Sequence, residues 1–202
     1  MRALIPLALL APLCFAAPAL AQQEIDPDWP CIQRKVPELS IGQMWSAALP
    51  QDGAEPDRAA IDLAARITPR RVSDDEVRDI ASAYAATLTP EERPERLAEV
   101  FASVLDRINT ERAQVISGIS RYSHRQIEMA DRIAAREASL AELEKVPEDQ
   151  RDMDRFEEEA DGVKWDTRVY RDRQQSLTYV CETPVLLEQR AFSIARLLQG
   201  MI

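Results

Sequence analysis

The sequence predicts an all-α protein: a small helical bundle from which a long antiparallel coiled-coil hairpin projects. Three observations predict it. Five glycines and 5% aromatic residues in 202, with abundant Ala, Glu, Arg and Leu, form a helical composition. Apolar heptads run from Ala98 to Leu143 and again from Met153 to Cys181. Between them, residues 147–151 leave room only for a tight connection, so the two long helices must lie antiparallel.

Residues 1–21 read as an export signal. Arg2 supplies a basic start, Leu4 to Phe15 an apolar stretch, and Ala19-Leu20-Ala21 a small-residue cleavage site after Ala21. The apolar stretch is short and broken by Pro6 and Pro12, so stable membrane insertion is not expected. Cys14 follows Pro12-Leu13, which is no lipid-attachment signal. Export implies a periplasmic location. Without Arg2 the chain holds 24 basic and 35 acidic residues, a net charge of −11. That acidity argues against nucleic acid and against anionic lipid surfaces as partners.

Only Cys31 and Cys181 remain after cleavage. In an oxidising compartment an even count suggests one disulfide, here joining the two ends of the chain. Two buried thiols or a metal site are the alternatives; a single histidine and no CxxC leave metal the poorest of the three. In the chain-entropy model so long a loop is worth about 5 kcal/mol as an upper figure.

Residues 22–54 have neither helical nor strand periodicity. Pro27, Pro30, Pro37 and Pro50 break them into an extended arm, with one short helix expected over Ile41 to Leu49. Trp29 and Trp45 should pack this arm against the bundle. The bundle is expected from residues 55–116 and 177–202. A helix after Pro56 shows Ala60, Leu63, Ala64 and Ile67 on one face and ends at Thr68-Pro69. Ser73-Asp74-Asp75-Glu76 is a capping box opening a second helix to Leu88, with Val77, Ile80, Ala81 and Tyr84 on its face.

Thr89-Pro90-Glu91-Glu92 is a second capping box, and the longest helix is expected to run from Pro90 to about Lys145. Its seam alternates from Ala98 and Phe101 through Ile108, Ile119 and Ile133 to Leu143, interrupted by Arg112, Gln126 and Arg136. The return seam runs Met153, Phe156, Ala160, Val163, Thr167, Tyr170, Gln174, Leu177, Cys181. Folding at the turn pairs positions whose numbers sum to about 296. Leu140 then faces Phe156, Ile133 faces Val163, and Val115 faces Cys181. Arg136 meets the small Ala160, and polar Gln126 and Tyr122 meet Tyr170 and Gln174; such matches hold a helix pair in one register.

Flanking positions are apolar near the root (Leu97, Ala102, Val104, Ile116) and polar towards the turn (Arg132, Glu137, Ser139, Glu144). A narrow stripe means a two-helix seam, so residues 117–176 should project alone, by about 40 Å at helical rise. Thr183 and Pro184 are expected to reset the helix, after which Leu187, Ala191, Ile194, Leu198 and Met201 close the bundle.

Signatures of catalysis are sparse. There is no glycine-rich phosphate loop, no HExxH and no CxxCH, so neither an enzyme nor a cofactor is expected. His124 falls at an outward position and is read as a surface residue. Ser46 and Ser103 have no base partner beyond it. Glu157, Glu158, Glu159 and Asp161 would form a cation site only by converging, but consecutive helical residues diverge, so no metal is assigned. Three features stand out as candidate partner contacts. Trp165 and Ile127 are apolar residues at outward positions of the stalk, and residues 148–166 carry nine acids, Glu157, Glu158 and Glu159 among them, against three bases. That acidity would steer a basic partner to the tip.

The expected function is therefore that of a scaffold, adaptor or assembly factor, presenting its hairpin to a periplasmic or inner-membrane protein. Hairpins can also pair with one another through residual apolar surface, giving a homo-oligomer. Leu88-Thr89-Pro90-Glu91-Glu92 resembles the LTxxQ motif of the Spy and CpxP family of small helical chaperones, once rather than twice and with Glu92 at the Gln position. The resemblance implies a periplasmic chaperone or stress sensor. An accessory subunit of an inner-membrane complex is equally compatible.

Overall fold

A computed structural model describes residue 26 and residues 28–49 and 57–202; the expected export signal over 1–21, Cys14 and the link over 50–56 lie outside the described residues. All regular elements described are helical: α1 (Arg58–Ile67), α2 (Asp74–Ala85), α3 (Arg93–Glu144) and α4 (Met153–Gln199), with single 3-10 turns at Ile41–Gln43 and Glu148–Gln150. The all-α fold with a long helical hairpin is as the heptads require.

Both short helices bury the faces their spacing marks. In α1 Ala60, Leu63, Ala64 and Ile67 are buried, and in α2 Val77 and Ala81. The Ser73–Glu76 box closes in both directions: Glu76 N–H donates to Ser73 Oγ at 3.2 Å and Ser73 N–H to Glu76 Oε2 at 2.8 Å. These hydrogen bonds hold the Glu76 carboxyl below its ordinary pKa. Thr89 and Glu92 form the same box, at 3.3 and 3.1 Å, with the same effect on Glu92. The regular helix behind them starts at Arg93 rather than Pro90, because residues 90–92 form the turn that the box closes.

The core gathers α1, α2, the first turns of α3 from Leu97 to Ile108, and α4 from Leu187 to Leu198. Arg190 closes it from below. Its guanidinium donates to the carbonyls of Ile67 at 2.7 Å, Pro69 at 3.3 Å and Thr68 at 3.4 Å, acceptors that the end of α1 leaves without helical donors. Asp74 holds the same guanidinium at 3.0 Å. Burial pushes the Arg190 pKa down while Asp74 opposes it.

Two expectations about the arm are corrected. The helix over Ile41 to Leu49 shrinks to one 3-10 turn, too short to propagate. The two tryptophans also part company. Trp45 is buried and stacks on Phe101, ring centres 5.1 Å apart. Trp29 stays half-buried outside the core, its indole donating to Gln33 O at 2.6 Å with the Lys35 ammonium 5.9 Å from the ring.

A third correction concerns Pro184. It does not reset the chain; α4 runs through it unbroken for 47 residues. A proline inside a helix leaves the carbonyl four residues back without its donor. Here that residue is Val180, 45% exposed, so water can serve the carbonyl. On the buried side, Arg112 donates to Pro184 O and to Val36 O, the latter at 2.8 Å. Arg112, read as an interruption of the seam, thus ties the arm, α3 and α4 together where the helix is weakest. Its desolvation lowers its pKa, against the attraction of Glu188 at 4.0 Å.

Candidate functional site

Cross-links between α3 and α4 report the register of the hairpin. Gln126 Nε2 donates to Tyr170 O at 3.2 Å, and Tyr122 Oη to Arg173 O at 3.0 Å. Arg132 pairs with Asp166 and Arg136 with Glu159, each at 3.0 Å. The numbers of all four pairs add to within two of 296. At the tip, Arg151 donates to the carbonyls of Val146 and Glu144 at 3.0 and 3.2 Å and lies 5.0 Å over Phe156, closing the turn on the end of α3.

Arg136 reaches across the seam to α4. Its guanidinium lies over Gly162, between Glu159 and Asp166, the latter at 3.5 Å. A side chain at Gly162 would meet the guanidinium, so the glycine is the small partner that seats it. Nothing in the heptad pattern distinguished Gly162, which sits just off the seam.

The candidate contact residues scatter along the stalk. Trp165 is 67% exposed and Ile127 44% exposed. Glu157 and Glu158 are exposed, whereas Glu159 turns inward to Arg136. No group of metal-ligating residues converges among those described. His124 faces outward but is not idle: its Nε2 lies 3.1 Å from Asp28 of the arm.

That contact shows how far the arm climbs. Trp45 lies against Phe101, Leu39 exchanges backbone hydrogen bonds with the Asn109 amide, Val36 accepts from Arg112, and Asp28 reaches His124. The Cys31 and Cys181 sulfurs stand 2.03 Å apart, a bond that fixes the middle of this arm to α4. Ile116, Ile119 and Ser123 of α3 are buried along the same stretch. Beyond it burial ends: from residue 130 to residue 180 no side chain is buried.

A groove of about 890 Å³, which the sequence did not signal, lies between α1 and the outer face of α3, lined by Ile61, Ala65, Pro69, Arg70, Ser103 and Asp106 among others. Ser103 Oγ has no hydrogen-bond partner there, and Glu99 at the groove's end is held by Arg96 at 3.0 Å. None of the candidate contact residues borders it.

Fold and surface together define a class: a disulfide-stapled helical bundle with a projecting antiparallel hairpin. No helix among the described residues is long and apolar enough to cross a membrane. No protein-family model, curated protein or solved structure matches the chain.

Proposed function

We propose that this chain is an exported, non-enzymatic scaffold that acts by contact between polypeptides, with the distal hairpin as its contact element. One observation carries this reading: the stretch over residues 130–180 in which nothing is buried. Its seam residues Ile133, Leu140, Leu143, Phe156 and Val163 are only half-covered by the opposite helix. Each would lose further apolar surface to water-free contact if another chain lay along the stalk. Trp165 stands on the outward side of α4, 67% exposed, and interfaces concentrate their energy in such aromatic anchors. The Cys31–Cys181 bond supports an oxidising compartment.

A photo-crosslinking residue at Trp165, and separately at Ile127, tests the reading in the native compartment. The expected result is a polypeptide adduct of defined mass from either position. Trp165→Ala should weaken the same contact by roughly thirtyfold, the effect of losing about 2 kcal/mol, and leave the melting temperature within about two degrees. Adducts only from a bundle position such as Phe192 would move the contact site to the bundle and make the stalk a spacer.

A further inference from the structure

We infer that the distal hairpin pairs with a second copy of this chain, antiparallel, through one flank of α4. The inference rests on the proposed contact role of the hairpin and names the partner. In an antiparallel helix pair the g positions of both helices share one flank and the e positions the other. Arg132 and Asp166, bonded at 3.0 Å, mark the g flank. Asn109, Ile116 and Ser123 lie on the e flank of α3, the side along which the arm runs until Asp28 meets His124. Above that point the same flank is open, and Ile127 lies on it.

The e and b positions of α4 continue this open flank, and their charges divide in two. Asp154, Glu157 and Asp161 come first, then Lys164, Arg168 and Arg171, all exposed. Trp165 stands at the change of sign. Laid antiparallel on a second copy about a point between Gly162 and Val163, the series matches itself. Asp154 meets Arg171, Glu157 meets Arg168 and Asp161 meets Lys164, each b position against an e position, with numbers adding to 325. Symmetry repeats all three contacts, and the two Trp165 rings flank the axis. A flank for an unrelated partner has no reason to be its own complement. Within one chain only Asp161 and Lys164 can meet, and they do, at 3.0 Å. Exposed ion pairs add little affinity, so the charges set register and association rate, while Trp165 and the half-covered seam supply the attraction.

Sedimentation of the mature, disulfide-bonded chain tests this. Twice the monomer mass is expected at micromolar concentration, with dissociation favoured by salt. One variant carries Asp154→Lys, Glu157→Lys and Asp161→Lys; another carries Lys164→Glu, Arg168→Glu and Arg171→Glu. Each alone should be monomeric, because its flank then bears a single sign. Their equimolar mixture should recover a dimer with one copy of each, and all six changes on one chain should restore self-association. Recovery in either case also shows that the variants are folded. A wild type that stays monomeric to about 100 μM, or variants that dimerise as well alone as mixed, would overturn the inference. If the monomeric chain still gives a Trp165 adduct with a different polypeptide, the second copy falls and the contact role of the hairpin stands. If it gives no adduct, both fall.

Discussion

Phe101 and Phe156 are the same residue on the same helical hairpin, each at a seam position, and they live in different proteins. Phe101 is wholly buried, stacked on Trp45, with helices and arm on every side. Phe156 is half-covered, with Arg151 over its ring and water beyond. The root is specified by burial. The distal stalk is specified by register, through Gln126 to Tyr170, Tyr122 to Arg173, and Arg136 seated over Gly162. A two-helix seam can fix where its residues sit without removing them from water, and a structure of that kind gains most from company.

The bond at the border between the regions offers the largest test. Cys181→Ser should cost up to about 5 kcal/mol and free the arm around Trp29, with little loss of helicity. Near-ultraviolet dichroism and the urea midpoint read both effects. Loss of the arm contacts with no change in midpoint would mean the root needs no staple.

The paired aromatics sharpen the contrast. Phe101→Ala should cost about 3–5 kcal/mol, as large-to-small changes in a closed core do. Phe156→Ala should cost no more than about 1–2 kcal/mol in the monomer, because little of its area is withdrawn from water. Equal losses in urea denaturation would erase the distinction between root and stalk.

The smallest effect belongs to Gly162. A methyl there displaces only the far end of the flexible Arg136 side chain. Gly162→Ala gains helix propensity worth up to about 1 kcal/mol and gives up a half-buried ion pair worth about as much. A change in stability within about 1 kcal/mol is expected, read from the thermal midpoint. A larger loss would show that Arg136 is a locked register element.

Periodicity made the hairpin legible: both seams, their antiparallel register and the faces of α1 and α2 follow from apolar spacing alone. So did the two capping boxes, whose residues act on near neighbours. What escaped depends on distant partners. Arg112 broke the heptad pattern and yields its meaning only once Pro184 and Val36 are beside it. Pro184 was read by its local cost, yet the staple at Cys181 and the core at Leu187 hold the helix on both sides. Trp29 and Trp45 are indistinguishable by type; only their neighbours separate them. Trp165 and Ile127 were legible as outward residues, whereas the inward turn of Glu159 required the opposite helix.

The staple has a topological consequence. Cys31 and Cys181 are 150 residues apart, so their bond makes most of the chain one covalent ring, with the Glu148–Gln150 turn at its far side. A single cut in that exposed turn opens the ring without releasing a fragment. α3, with the arm, and α4 stay joined through sulfur at the root, where the core already holds them. On a gel the cut would show only after reduction, as two pieces from a molecule whose mass had grown by one water.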